Sequence, residues 1–208
     1  MDWKVKYRPE TLANVALPNN LRRKFEAFLN GTYVNNMLFF GPPGKGKTTV
    51  ARLLAKDREL IFLSCSEYSG KDDVLPLLEG CTALTLYGNK RLVLIDEAEM
   101  LTPKALNTFR GSIEKLSINN DFVFTCNNIK KMDKAILSRL ELVDFSFDIR
   151  LNPEIEIQLL NRLNQILEIE RVKRNETMDF ELKVLIQTYH NDYRTLIGKL
   201  QSLCFEIA

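Results

Sequence analysis

The sequence lacks the features that mark membrane-spanning and secreted proteins. Its 208 residues include no apolar run that approaches the ~18 residues of a membrane-spanning helix. The N-terminal residues contain no apolar core of the kind that a secretory signal needs. We therefore expect a protein that is not secreted and has no membrane partner.

The net charge is also small. The 29 lysines and arginines nearly balance the 27 acidic residues, which leaves a formal charge of +2. That balance does not by itself indicate nucleic-acid binding, so any DNA contact would depend on local basic patches. With 45% hydrophobic and 27% charged residues, the composition is that of a globular protein. The length allows one large domain, or a medium domain with a small one.

Cysteine is scarce, and no two cysteines have the C-x-x-C spacing of a metal or redox site. The four cysteines are scattered among apolar neighbours, at Cys65, Cys81, Cys126 and Cys204. This pattern predicts free, buried thiols in a reducing compartment and disfavours a cysteine-based metal centre. The chain also has no internal repeat and no low-complexity tract.

The most informative stretch is GPPGKGKT, residues 41–48, which matches the phosphate-loop pattern G-x-x-x-x-G-K-[ST] in full. An apolar run, Met37–Phe40, precedes it, and residues with helical spacing, Thr49–Lys56, follow it. In such a loop the backbone N–H groups surround an anion at a helix N-terminus. Lys47 would reach the β- and γ-phosphates and Thr48 would ligate Mg²⁺, so a chance match is the weaker alternative. The residues predicted to contact the nucleotide here are Pro43, Gly44, Lys45, Gly46, Lys47, Thr48 and Thr49.

The order of elements predicts an α/β fold. Apolar runs alternate with helical patterns, which favours a parallel sheet covered on both faces. The clearest helix is 103–116, with Thr102 as N-cap and Pro103 in its first turn; a second is 71–79. The five predicted strands are 37–40, 60–64, 91–95, 121–126 and 142–147.

The pattern changes after Arg150. Asn152 and Pro153 form a second helix start, and apolar residues then recur at helical spacing up to Leu167. Two more helical segments are predicted over 179–189 and 192–205. We therefore divide the chain into a nucleotide-binding α/β domain, residues 1–150, and a small helical domain, residues 151–208.

Acidic residues follow the third predicted strand. Asp96 at the strand tip can hold Mg²⁺, directly or through water, and Glu97 can orient and deprotonate an attacking water. Acids that merely end a strand at the surface are the alternative, which the upstream phosphate loop disfavours. We expect Glu99 to face solvent or the next helix.

Two further polar sites have two interpretations each. Asn127 and Asn128 end the fourth strand, where an amide could meet a γ-phosphate or could simply serve a turn. Arg139 ends a short amphipathic segment, where it is either a solvated charge or a group that acts on a nucleotide held by a neighbouring subunit.

The order of these motifs resembles an AAA+ ATPase, and more narrowly the DNA clamp-loader small subunits, such as the replication factor C small subunit and the ATPase subunit of bacteriophage clamp loaders. Most of the chain takes part in this resemblance. The motifs that carry it are WKVKYRP (3–9), GPPG (41–44), LIDEA (94–98), NTFRGSIEKLS (107–117), TCNN (125–128), SRL (138–140) and NDYRTLIGKL (191–200).

The resemblance implies an ATP site with Mg²⁺ held at Thr48 and Asp96. Asn127 corresponds to sensor 1, Arg194 to sensor 2 on the helical lid, and Ser64 to a polar switch that can restrain Glu97. Arg139 would be an arginine finger that completes the site of the adjacent subunit. The implied catalytic set is Lys47, Glu97, Asn127 and Arg139, and the residues near adenine and ribose are Tyr7, Arg8, Pro9, Val15 and Ala16.

The resemblance implies an ATP hydrolase that loads a sliding clamp at primer–template junctions. Its partners would be the other subunits of a pentamer, the clamp and primer–template DNA. Such a protein is cytoplasmic in a prokaryote or a phage-infected cell and nuclear in a eukaryote. Another AAA+ remodeller, such as a helicase loader or an unfoldase, is one alternative, and a non-enzymatic nucleotide-binding subunit is another. Tyr68 and Tyr87 are the aromatics near a pore position, and neither lies in a pore motif.

Some residues depart from the family pattern. Lys45 stands where threonine is usual, and we expect its side chain to face outward with little effect on phosphate binding. Leu140 replaces a cysteine and Gly111 an arginine. The sequence also ends after the helical lid, so the resemblance predicts that the family's collar domain is missing.

Contacts to DNA would be made to phosphates and so would not depend on base sequence. The candidates are Ser69, Gly70 and Lys71 at one helix start and Lys104 at the next, with solvated lysines as an equal alternative. The basic clusters Arg22–Lys24 and Arg171–Arg174 are better explained as solvated helix faces. Arg110 is a candidate for the subunit interface.

Overall fold

The computed structural model describes residues 1–83, 90–172 and 176–207. Within them the chain forms a parallel sheet of five strands flanked by helices, as predicted. The strands are β1 (Met37–Phe40), β2 (Leu60–Ser64), β3 (Arg91–Asp96), β4 (Asn120–Cys126) and β5 (Glu141–Asp144). Their order across the sheet is β2-β3-β4-β1-β5, which places β1 between β4 and β5.

Nine helices surround or follow this sheet in the described residues. Short 3₁₀ turns lie at Leu12–Asn14, Ala98–Met100 and Ile129–Lys131. The helices are α1 (Trp3–Lys6), α2 (Asn19–Leu29), α3 (Lys47–Leu54), α4 (Lys71–Gly80), α5 (Pro103–Leu116), α6 (Lys134–Leu137), α7 (Pro153–Ile169), α8 (Glu176–Tyr189) and α9 (Tyr193–Ile207). Within the described ranges, no helix combines the length and apolarity that crossing a membrane requires.

Local sequence explains most of these boundaries. Helix α5 starts where predicted, because the Thr102 hydroxyl accepts a hydrogen bond from Ala105 N and Pro103 occupies the first turn. Strands β3 and β4 are almost wholly buried, since helices cover both faces of the sheet. Helix α3 begins at Lys47, two residues before the predicted start.

The fifth strand is shorter than predicted. It ends at Asp144, and only the Phe145 amide still donates to β1, to the Phe40 carbonyl at 2.7 Å. Strand β1 ends at Phe40 because the chain then turns into the phosphate loop. Residues 146 and 147 therefore have no neighbouring strand to pair with.

Three apolar clusters make up the core. One packs α4 and α5 on one face of the sheet, and a second packs α2 and α3 on the other face. The third joins α7, α8 and α9 to the N-terminal helix α1, where Trp3 and the following Tyr7 are buried. The Trp3 amide donates to Gln201 Oε1 at 3.0 Å. The first helix of the chain thus packs on the last one, beside the site described next. The domain division at residue 150 stays a prediction.

Candidate active site

A cavity of about 330 Å³ lies where the sheet, the N-terminal segment and the lid helices α7 and α9 meet. One part of its wall is polar and comes from the carboxyl ends of β3 and β4 and from the phosphate loop, where ligands of open α/β sheets bind. The polar side includes Lys47, Thr48, Asp96, Glu97, Thr125 and Asn127. The rest includes Tyr7, Pro9, Val15, Ala16, Leu163, Leu196 and Ile197.

The phosphate loop has the backbone shape that its glycines permit. Gly44 and Gly46 have φ angles of +77° and +90°, in the left-handed region that other residues rarely adopt. Helix α3 starts directly after them, at Lys47. Its first N–H groups have no carbonyl partner within the helix, so they form a ready anion site.

The Lys47 ammonium is buried at this loop. Its Nζ donates to the carbonyls of Gly41 (2.7 Å) and Pro42 (2.8 Å) and to Asn127 Oδ1 (2.9 Å). Burial lowers the pKa of Lys47, whereas nearby carboxylates, including those of Glu99 and Asp96, oppose that shift. The predicted sensor amide and the phosphate-loop lysine therefore contact each other directly.

Hard oxygen ligands converge beside Lys47. Asp96 Oδ1 accepts hydrogen bonds from the hydroxyls of Thr48 (2.7 Å) and Thr125 (2.6 Å). A hydroxyl and a carboxylate at this spacing suit Mg²⁺, which commonly binds few protein groups and completes its shell with phosphate and water oxygens. In the part of the chain that the structure describes, no group of three or more His, Cys, Asp and Glu side chains could hold a metal.

Glu97 has an unusual backbone. Its φ is +57°, a conformation that costs about 1–3 kcal/mol in a residue other than glycine and that occurs repeatedly at functional sites. Its amide donates to Thr125 Oγ1 at 3.1 Å, and its side chain lines the cavity. Ser64 Oγ pairs with Ser66 Oγ at 2.9 Å, so its role as a switch on Glu97 stays a prediction.

The expectation for Glu99 was wrong. Its Oε1 accepts a hydrogen bond from the backbone N–H of Asn127 at 2.8 Å. Its Oε2 is buried with no partner among the described residues. Glu99 turns inward because β3 and β4 are adjacent, so their ends lie side by side. It thereby holds the backbone that presents Asn127 to Lys47.

The two paired asparagines have different surroundings, and the contact of Asn127 with a γ-phosphate stays a prediction. Asn127 lines the cavity and accepts from Lys47, whereas Asn128 Oδ1 accepts from Lys130 N at 3.0 Å and stabilises the following turn.

The N-terminal segment forms the opposite wall. Tyr7, Arg8, Pro9, Val15 and Ala16 all line the cavity, and their place near adenine and ribose stays a prediction. The Tyr7 hydroxyl donates to Glu170, and the Tyr7 carbonyl accepts from Arg162 Nη2 at 3.1 Å.

The interpretation of the first basic cluster was wrong for Arg22. Arg22 is not part of a solvated face, because it donates to the carbonyls of Leu12 (2.7 Å) and Val15 (2.8 Å) and to Gln158 Oε1 (2.8 Å). It therefore fixes the segment that carries Val15 to the lid. In the other basic cluster, residues 173 and 174 lie outside the described residues, as does Tyr87.

The lid contributes residues that the sequence did not single out. Arg162 and Tyr193 line the cavity beside Arg194. The Tyr193 hydroxyl is buried and has no hydrogen-bond partner among the described residues, and burial raises its pKa. Its only signal in sequence was its place beside Arg194.

Two predicted residues do not line the cavity. Arg139 Nη1 donates to the Ala135 carbonyl at 2.6 Å, and its Nε lies 2.9 Å from Glu114 Oε1. The side chain of Lys45 does not face outward, contrary to expectation, because it is fully buried against the lid.

The candidates for DNA and subunit contacts are less distinctive. The Gly70 amide at the start of α4 already donates to Asp73 Oδ2 at 2.8 Å, and Lys71 and Lys104 are exposed. Arg110 Nη2 pairs with both carboxylate oxygens of Asp133 at 2.9 Å. Their predicted roles stay predictions.

Comparison with known proteins identifies the family. The model of the ATPase family associated with various cellular activities (AAA) matches residues 37–150, more than half of the chain. The chain belongs to the AAA family. The match includes the phosphate loop, Asp96, Glu97, Asn127 and Arg139. It ends before the helical lid, α7 to α9.

Individual AAA relatives match nearly the whole chain. Human replication factor C subunit 5 is 31% identical over 97% of this chain and 60% of its own length. Replication factor C subunit 3 of Saccharomyces cerevisiae is 28% identical over 97% of this chain and 59% of its own length. The replication factor C small subunit of Archaeoglobus fulgidus is 29% identical over 96% of this chain and 62% of its own length. The chain thus spans about 60% of the length of these curated relatives.

Solved AAA structures confirm the fold. An arginine-to-alanine variant of RuvB from Thermotoga maritima superposes with a TM-score of 0.75 at 17% identity, over 94% of this chain and 64% of that one. The Thermotoga maritima RuvB Holliday junction branch migration motor superposes with a TM-score of 0.64 at 16% identity, over 95% of this chain and 72% of that one. At such identities the likeness concerns the fold alone.

Proposed function

We propose that this chain is an ATPase subunit of a DNA sliding-clamp loader, which uses ATP to open the clamp and load it at primer–template junctions during replication. The observation that carries the proposal is the similarity to replication factor C subunits over 97% of the chain. The cavity supports it, because residues from both ends of the chain, Tyr7 and Arg194, line it together with the phosphate loop.

The cavity suits a nucleoside triphosphate. Its apolar side can hold a base. The loop amides and Lys47 would hold the phosphates, with Arg194 approaching from the lid. The backbone amide of Lys45 belongs to this loop, although its side chain points elsewhere.

Thr48 and Asp96 would hold Mg²⁺, which supplies charge neutralisation at the phosphate oxygens. Glu97 would accept the proton of the attacking water, and Asn127 would orient that water or the terminal phosphate. Glu99 would act through Asn127, because its carboxylate accepts a hydrogen bond from the backbone N–H of Asn127 at 2.8 Å.

Thr48→Val should separate metal binding from phosphate binding. Valine keeps the branched shape but removes the hydroxyl that contacts Asp96. Affinity for ATP with Mg²⁺ should fall by about 10- to 100-fold, whereas affinity in EDTA should change little. Calorimetric titration with and without Mg²⁺ measures both.

The matched control is Thr108→Val, which removes a helical hydroxyl that bonds only the Lys104 carbonyl, at 3.0 Å. An equal loss of affinity with and without Mg²⁺ in Thr48→Val would show that the Thr48 hydroxyl serves the loop's structure and not the metal.

The proposed function itself predicts stimulation by the implied partners. ATP hydrolysis by the chain, assembled with its partner subunits, should rise when sliding clamp and primer–template DNA are added together. Unprimed single strands without clamp are the control. Absence of stimulation in a complete assembly would overturn the clamp-loader proposal, and capture of a helicase in place of a clamp would favour the helicase-loader alternative.

A further inference from the structure

The Lys45 ammonium is the most completely buried cationic group among the described residues that the proposed chemistry does not use. Its side chain has 0% exposure, although it lies in a loop that binds ligands in proteins of this family. Nζ donates to the Phe147 carbonyl at 2.9 Å and to the His190 carbonyl at 3.0 Å. It also lies 4.8 Å from the ring centroid of Phe147 and 5.4 Å from that of Tyr193.

These partners come from separate parts of the chain. Phe147 lies in the segment that joins β5 to α7, and His190 lies in the turn between α8 and α9. One ammonium therefore links the phosphate loop to two other segments, the one between β5 and α7 and the turn between α8 and α9. Hydrogen bonds from a charged donor and contacts with aromatic faces are strong enough to order such a junction.

A second set of contacts joins the same two parts. The Tyr193 amide donates to the Gly44 carbonyl at 3.0 Å. Asp192 caps the start of α9 through the Thr195 amide at 3.0 Å. Its carboxylate packs so closely on Gly44 that a Cβ there would lie 2.1 Å from Oδ1. The first turn of α9 thus sits directly on the phosphate loop.

The charge is retained at a cost. Burial lowers the pKa of Lys45 to about 8, and Asp148 opposes that shift. The ammonium form still dominates at pH 7. A buried charge is costly unless it is well bonded, and here two carbonyls and two aromatic rings satisfy it.

Arg194, the proposed sensor of the terminal phosphate, directly follows Tyr193. We propose that Lys45 is a positioning residue: it holds the first turn of α9 on the phosphate loop and so sets where Arg194 meets the terminal phosphate. This inference rests on the proposed nucleotide site. It makes Lys45 a determinant of how strongly the protein prefers a triphosphate to a diphosphate.

Lys45→Met tests the proposal, because methionine fills the space of the stem without the charge. Affinity for ATPγS should fall about tenfold, in the range of typical coupling between sites, and affinity for ADP should change less. Lys56→Met, at an exposed lysine after α3, should leave both affinities unchanged.

A double-mutant cycle with Arg194→Ala distinguishes positioning from general stabilisation. If Lys45 acts through Arg194, Lys45→Met should cause no further loss of triphosphate preference in the Arg194→Ala background. The same fold-loss in both backgrounds would overturn the proposal, as would an unchanged preference in Lys45→Met alone.

A measurement without nucleotide keeps this inference separate from the proposed function. Hydrogen exchange of the Tyr193 amide should be about tenfold faster or more in Lys45→Met, because its bond to Gly44 loosens. If the wild-type chain binds neither nucleotide, the proposed function fails, and this exchange rate alone decides the role of Lys45. Unchanged exchange would overturn it. If Lys45→Met does not fold, Lys45→Thr, whose hydroxyl is too short to reach either carbonyl, takes its place.

Discussion

Arg139→Ala should lower ATP hydrolysis by the assembled complex by about 10³- to 10⁵-fold, the range found when an arginine supplied by a neighbouring protein is removed from nucleotide hydrolases. The physical reason is that Arg139 does not line the cavity of its own chain. It is held at the Ala135 carbonyl and beside Glu114, so the predicted role as an arginine finger would concern a nucleotide bound to another subunit. Steady-state turnover at saturating ATP measures the effect.

The isolated chain provides the decisive comparison. If Arg139 is an arginine finger for the adjacent subunit, the slow hydrolysis of the isolated chain should be the same with and without it. Arg23→Ala, at an exposed position of α2, is the matched control. Unchanged turnover of Arg139→Ala in the assembly would refute the assignment, and a loss in the isolated chain would place the arginine in its own site.

Where the assembly holds adjacent copies of this chain, complementation gives a sharper result. Arg139→Ala and Glu97→Gln subunits should each be inactive alone. Mixed together, they should recover part of the activity, because some interfaces then pair an intact Arg139 with an intact Glu97. No recovery would contradict catalysis across the interface.

Glu97→Gln should reduce turnover by about 10²- to 10⁴-fold, the usual contribution of a general base, while leaving ATP affinity unchanged. Glutamine keeps the size and the hydrogen-bonding reach of the side chain, but its amide cannot accept the proton of water. Turnover and nucleotide affinity are measured on the same complex, by phosphate release and calorimetry.

Glu67→Gln, at an exposed carboxylate after β2, is the control for Glu97→Gln. Unchanged turnover in Glu97→Gln would mean that another group accepts the proton. No turnover in the assembled wild-type complex would favour the alternative of a nucleotide-binding structural subunit.

The site could be predicted from sequence where its chemistry is local. The phosphate loop takes its shape from glycines within eight residues of one another. Asp96 and Glu97 can be recognised because they stand directly after the apolar residues of β3. Local patterns also predicted the five parallel strands, most clearly β1 and β3, because burial on both faces makes such a strand a nearly continuous apolar run.

The errors concern side chains whose partners are far away in sequence. Lys45 was expected to face outward, but its carbonyl partners lie 102 and 145 residues further along the chain. Glu99 was expected to face solvent or the next helix, but it meets Asn127, 28 residues away on the adjacent strand. Arg22 was expected in solvent, but it meets Gln158, 136 residues away.

The anion-binding loop, the acidic strand tip and the alternation of strands and helices depend on neighbouring residues and on backbone geometry, so they can be predicted from the residue order alone. The packing of α1 on α9, the burial of Lys45 beneath the lid and the position of Arg139 away from its own cavity become evident only when the chain is folded. Those outcomes depend on which distant segments exclude water from a side chain and supply its hydrogen-bond partners. No local pattern of residue types encodes that information.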